Sequence, residues 1–185
     1  MDPRSARTRS SLQEALLSLA RERELDDIAV ADVAERAGVN RSSFYQHYAD
    51  KETLLADALD AAAEEAGADL PSLSAETIEP PHVLVAYLEH LDANAALYRR
   101  VLGEHGSSFA VARLRARLQD VIVEGIARSS EPSYYGDLPK DVVAAGVAGS
   151  VMGVLGVWLH REPRPAPAVA AGWLWRVLLG PTARS

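Results

Sequence analysis

Apolar residues recur along this chain at intervals of three and four, and no stretch shows the two-residue alternation of a half-buried strand. Leu12, Ala15, Leu16 and Leu19 form the first stripe. They predict a helix over residues 5–23, which Leu25-Asp26-Asp27 interrupts. Two short helices follow around Gly38, then a longer one over 50–65. Gly67, Pro71 and the Pro80-Pro81 pair mark a boundary across 66–81. Beyond it the pattern predicts helices over 81–94, 95–102 and 107–129. The last of these carries Val111, Leu114, Leu118, Val121 and Ile122 as its apolar positions, and Arg113, Arg115, Arg117 and Asp120 on its other faces. Segments 103–106 and 131–139 read as loops, and a proline-rich link over 161–167 separates two final helices, 140–160 and 166–179. The expectation is an all-α chain of two domains, a small one over 1–59 and a larger one over 60–185, with no internal repeat.

The helix over 140–160 departs from amphipathic patterning. Between Val142 and Leu159 the single polar residue is Ser150, a run close to the ~18–20 apolar residues that can cross a bilayer. Gly149 and Gly153 sit at GxxxG spacing, with Gly146 and Gly156 nearby. A membrane span, a fully buried core helix and a helix that pairs with a second copy all satisfy this pattern. The alanine and glycine content, Trp158 inside the end of the run and the lack of a second such segment favour a soluble chain. Pairing is the preferred reading. Gly146, Gly149, Gly153, Val157 and Trp158 would meet a partner helix, and Trp173 and Val177 of the last helix would complete a four-helix interface between two copies.

The stretch from Val30 to Leu55 has the layout of a helix-turn-helix. Small or apolar residues stand at Val33, Ala34, Ala37, Val39 and Phe44, and Ala34 lacks bulk where a second helix must approach. Gly38 occupies the position where a positive φ is cheap only for glycine, and Asn40 has the chemistry to cap the next helix. In that helix Phe44 and Tyr48 face inward together, four residues apart. Ser42 and Gln46 lie opposite, flanked by Ser43, Tyr45 and His47. Such a small, polar, hydrogen-bonding face suits the reading of base edges in a major groove; a merely solvated face has the same composition. Lys51, at the start of the following helix, stands where the helix dipole disfavours a cation, a placement that makes sense beside a phosphate.

Charge narrows the possibilities. The formal net charge is -7, so bulk electrostatics do not draw this chain to nucleic acid. Binding would have to come from a few local cations, of which Arg4, Arg7, Arg9, Arg36, Arg41 and Lys51 are the candidates. There is no cysteine, which excludes disulfides, thiolate zinc sites and a cysteine nucleophile. The basic amino terminus leads into no secretory signal, and the expected location is the cytoplasm. No HExxH, P-loop or GxGxxG occurs, and Ala148 replaces the first glycine of a GxSxG around Ser150. His82, His90 and His105, with Glu89 and Asp92, are the one conceivable metal set, and scattered histidines on helices are mostly structural. No metal, cofactor or enzymatic activity is expected.

Ile28, Val30, Val33-Ala34, Ala37-Gly38-Val39, Phe44-Tyr45, His47-Tyr48, Asp50-Lys51-Glu52 and Leu54-Leu55 together resemble the DNA-binding domain of the TetR/AcrR family of bacterial transcriptional regulators. The likeness spans roughly residues 8–59. It implies an amino-terminal three-helix DNA-binding domain followed by a larger helical domain that binds a small-molecule effector and pairs two subunits. It further implies Arg41, Ser42, Ser43 and Gln46 as base or groove contacts, and Tyr45, His47 and Lys51 as phosphate contacts. Ala29 departs from the family, which usually has a capping threonine or serine there; such a cap contributes about 1 kcal/mol. For an effector pocket the candidates are Tyr87, His90, Tyr98, His105, Phe109, Tyr134, Tyr135 and Met152, each with a core residue as its alternative. The implied function is a homodimeric repressor, bound to a (pseudo)palindromic double-stranded operator and released by a small effector. A helical ligand-binding protein or enzyme that kept the fold without DNA recognition is the alternative.

Overall fold

The computed structural model describes residues 3–65, 79–103, 106–128 and 137–179, and all regular structure among them is helical. The elements are α1 (Pro3–Glu22), a 3-10 turn (Leu25–Asp27), α2 (Val30–Arg36), α3 (Arg41–His47), α4 (Lys51–Glu65), α5 (His82–Ala93), α6 (Ala95–Leu102), α7 (Ser108–Arg128), α8 (Lys140–Leu159) and α9 (Pro167–Leu179). These bounds follow the apolar periodicity to within a residue or two, because each stripe must be buried to be stable.

The helices gather into two compact units. One comprises the chain up to Ala62 together with Ala96–Leu114; the other comprises Ala63–Ala95 and the chain from Arg115. Residues of α6 and the opening turns of α7 therefore pack with the amino-terminal helices, a grouping that no periodicity announces. The first core is built from Leu12, Leu16, Leu19, Ile28, Val33, Phe44, Leu54 and Leu55, with Leu97, Tyr98 and Val101 added from α6. Polar bonds reinforce it. Arg100 donates to the Ala20 and Arg21 carbonyls at 2.8 and 2.7 Å and pairs with Glu24 at 2.9 Å. It thereby satisfies carbonyls that the end of α1 leaves without helical partners. Ser107 caps α7 by accepting the Ala110 N–H at 3.0 Å and donates its own hydroxyl to Glu52 on α4.

The second unit is held chiefly by apolar contact. Leu84, Leu88 and Leu91 of α5, Val147, Val151 and Leu155 of α8, and Ala170, Ala171, Leu174 and Trp175 of α9 are buried. α9 packs against both α5 and α8. The Arg164–Asp92 ion pair at 2.6 Å joins the α8–α9 link to α5. Among the described residues α8 alone is long and apolar enough to cross a membrane, and half of it is buried inside the protein. Its inner side is Val143, Ala144, Val147, Ala148, Val151, Leu155, Trp158 and Leu159. Its outer side, carrying Val142, Gly146, Gly149, Ser150, Gly153 and Val157, is exposed.

Trp158 corrects one expectation. It is fully buried within its own unit, and its indole N–H donates to the Pro165 carbonyl at 2.8 Å, so it is core and not interface. Trp173 and Val177 on α9 are half-buried. Tyr98 is buried, 1% exposed in the first unit; Phe109, also of the first unit, is half-exposed. Tyr87 and His90 on α5 stack with ring centroids 6.4 Å apart, and Met152 is half-buried on α8. His105, Tyr134 and Tyr135 lie outside the described residues. Among the described residues no three His, Asp or Glu side chains group closely enough to hold a metal ion.

Candidate nucleic-acid interface

The turn between α2 and α3 has the chemistry its residues require. Gly38 takes φ +68°, a conformation that a side chain would strain. The N–H groups of Gly38 and Val39 return to the Glu35 and Ala34 carbonyls at 3.0 Å each, closing the end of α2. Asn40 then caps α3. Its side-chain oxygen accepts the Ser43 N–H at 2.7 Å and the Ser42 and Ser43 hydroxyls at 2.6 and 2.9 Å. At the other end of the motif Ala29 offers α2 no side-chain cap. Half of a capping box survives, since the Ala29 N–H donates to the Asp32 carboxylate at 3.0 Å. Asp32 also pairs with Arg23 at 3.2 Å.

Burial separates the faces of α3 as the spacing requires. Phe44 and the capping Tyr48 are buried, while Arg41, Ser42, Tyr45 and Gln46 are exposed and Ser43 and His47 half-buried. The Arg41 guanidinium lies over the Tyr45 ring, 5.7 Å from its centroid, and donates to the Tyr45 hydroxyl at 3.3 Å. Ser43, Gln46 and His47 also line a shallow cleft with Arg4, Ser5 and Thr8 of α1. Ser5 and Thr8 are additions to the expected set. Their one sequence signal is helical spacing beside Arg4, which shows nothing until α1 is placed against α3.

A polar cluster fixes α3 from behind. The Asp57 carboxylate on α4 accepts from the Tyr48 hydroxyl at 2.7 Å, from Arg9 at 2.7 Å and from Gln13 at 2.8 Å. Arg113 approaches its other oxygen at 4.0 Å and pairs with Asp60 at 2.8 Å. Burial alone would raise the Asp57 pKa, but the hydrogen bonds from Tyr48, Arg9 and Gln13 outweigh it and hold the carboxyl below its ordinary value. Burial, followed by the bond to Asp57, pushes the Tyr48 hydroxyl up. The bond to Asp57 also raises Arg9.

Several of the candidate cations are therefore engaged within the protein. Arg9 serves Asp57. Arg36 binds Glu22 through two N–H groups at 2.9 and 3.0 Å, and Ser18 at 2.8 Å. Lys51, expected at a phosphate, has partners inside the protein. Its ammonium donates to the Leu25 and Ile28 carbonyls, the latter at 3.0 Å, tying the start of α4 to the turn before α2. Arg4, Arg7 and Arg41 are exposed, Arg7 donating to the Pro3 carbonyl at 3.4 Å and Arg41 to Tyr45.

The comparisons with known proteins meet on this region. The family model for bacterial regulatory proteins of the tetR family matches residues 12–58, from the middle of α1 into α4. Over this segment the chain is thus similar to the TetR family. Over 56 residues the TetR-family segment is 41% identical to the HTH-type transcriptional regulator YxbF of Bacillus subtilis, a match that takes in 30% of this chain and 15% of that protein. The fold extends the likeness. A TetR transcriptional regulator from Streptococcus agalactiae superposes with TM-score 0.63 at 23% identity, covering 96% of each chain. The dihydroxyacetone kinase operon activator DhaS superposes with TM-score 0.64 at 16% identity, covering 93% of this chain and 94% of its own. The TetR fold is thus present from the helix-turn-helix through the larger helical region.

Proposed function

We propose that this chain is a homodimeric transcriptional repressor that grips a (pseudo)palindromic DNA site with α3 in the major groove and lets go when a small molecule binds its carboxy-terminal helices. The observation that carries the reading is α3 itself. It is capped, backed by Phe44 and Tyr48, and turned outward with Arg41, Tyr45 and Gln46. Arg41, Ser42, Ser43 and Gln46 are assigned to the groove, and Tyr45 and His47 to the backbone phosphates. With a net charge of -7, affinity rests on these few groups.

Pairing is supported by α8. A Cβ built at Gly146, Gly149 or Gly153 meets nothing within 4 Å, so the protomer by itself has no need of glycine there. Each glycine weakens a helix by about 0.5–1 kcal/mol relative to alanine, a cost explained if a second helix must come close. Val142 and Val157 stand 53% and 59% exposed at the two ends of the same stripe. Trp173 and Val177 would add the flank from α9. Tyr87 and His90, stacked on α5, are candidates for the effector.

Genome-wide capture of the DNA bound by the full chain, followed by affinity measurements on the recovered fragment, tests the reading. A specific fragment is expected, with affinity that falls steeply as salt rises. Recovery of no enriched fragment overturns it. Transcription from the captured promoter should rise when the chain is removed; a fall instead makes it an activator.

A further inference from the structure

The cap of α3 redistributes the groups that can read a base. The hydroxyl protons of Ser42 and Ser43 are both committed to the Asn40 side-chain oxygen, at 2.6 and 2.9 Å. These serines can still accept hydrogen bonds, but donation outward would have to give up the hydroxyl bond to Asn40. Donors aimed outward from α3 are then Arg41, the Tyr45 hydroxyl and the Gln46 amide. Arg41 and Tyr45 are one helical turn apart, and the guanidinium lies on the ring with a single N–H spent on the Tyr45 hydroxyl. The ring thus supports the guanidinium and leaves further N–H groups to donate. In the major groove guanine alone presents two adjacent acceptors, O6 and N7, that such an edge matches. An exposed arginine without that support would have to order several rotatable bonds on binding.

We propose that Arg41 reads a guanine in the operator half-site and that Tyr45 is the positioning residue that holds the Arg41 guanidinium for it. This rests on the DNA-binding function proposed above. Tyr45 gains a task separate from contact with a phosphate, and the two tasks have different signatures. Loss of a phosphate contact weakens binding to all sequences alike, whereas loss of a positioned reader relaxes preference at one base pair.

The test is selection of randomised duplex DNA by the full chain, followed by affinities for the selected duplex and for versions with each guanine replaced, all at one salt concentration. The parent is expected to prefer one guanine per half-site by about tenfold or more. Arg41→Ala and Tyr45→Ala should both abolish that preference, and the double variant should lose no more than either alone. Tyr45→Phe keeps the ring and should keep most of the preference. If Arg41→Ala leaves every guanine preference intact, the inference falls. If Tyr45→Ala weakens binding uniformly while the guanine preference stays, Tyr45 is a phosphate contact and its positioning role falls. A parent that enriches no sequence overturns the DNA-binding reading together with this inference, so the two failures are distinguishable.

Discussion

α3 and α8 both expose a face that their own protomer leaves uncovered, and they differ in almost everything else. α3 has 7 residues, too few to persist alone, and is held by Asn40 in front and by Phe44, Tyr48 and the Asp57 cluster behind. Its open face carries Arg41, Tyr45 and Gln46. α8 has 20 residues, is held by Val147, Val151, Leu155 and Trp158 against its unit, and opens a stripe of glycine, serine and valine. A polar face on a helix fixed by directional bonds suits a partner read by hydrogen bonds. A bare, small-residue face on a long helix suits a partner that approaches by shape. Within one chain, the chemistry of the uncovered face tells the two tasks apart better than exposure does.

The largest expected effect comes from breaking the α8 side. Gly149→Arg has open space in the protomer and should leave its helicity unchanged, yet convert the pair to monomers in light scattering. Operator affinity should then fall by about 100-fold or more, because the second half-site is no longer linked to the first. A variant that stays dimeric removes α8 from the interface.

On the α3 side the deepest cut is Asp57→Ala, which strips the acceptor from Arg9, Gln13 and Tyr48. A stability loss of about 2–3 kcal/mol in urea unfolding is expected, and a loss under 0.5 kcal/mol would mean the cluster is ornamental. The same carboxylate gives a pH dependence. Its folded pKa is depressed, so its contribution is fully present above the unfolded value of about 4 and is lost as pH falls below it. The stability gap between the parent and Asp57→Asn should therefore be widest near neutrality and narrow below about pH 4. A gap that widens in acid contradicts the assignment.

Smaller effects sharpen the contrast. Ala29→Ser restores the absent cap of α2 and should raise stability by about 0.5–1 kcal/mol, readable as a higher thermal midpoint. If the midpoint drops, the Asp32 bond to the Ala29 N–H is already the better arrangement. Arg36→Ala removes an exposed pair with Glu22 and should leave the midpoint unchanged within error.

Much of this was legible in the residues. The order and bounds of the helices follow from apolar spacing, and Gly38 and Asn40 announce the turn by conformational necessity. What escaped depends on proximity between distant residues. Lys51 reads as a phosphate-binding cation, and its spacing does not show that the 3-10 turn brings the Leu25 and Ile28 carbonyls to it. Arg9 reads as a basic terminus until Asp57 is placed beside it. Trp158 failed for another reason: a helix apolar on every side has no pattern to say which side faces in. Spacing places Ser42 on the outer face of α3 and Ser43 on its flank, but no spacing rule reveals that their protons belong to Asn40.

The Asn40 cap has a bearing on how this reader could diverge. Asn40, Phe44, Tyr48 and the Gly38 turn secure the helix without help from Arg41, Tyr45 or Gln46, so the outward letters can change while the frame that presents them stays folded. Duplicated copies of such a chain could drift to new operators through substitutions at three surface positions, each nearly silent for stability.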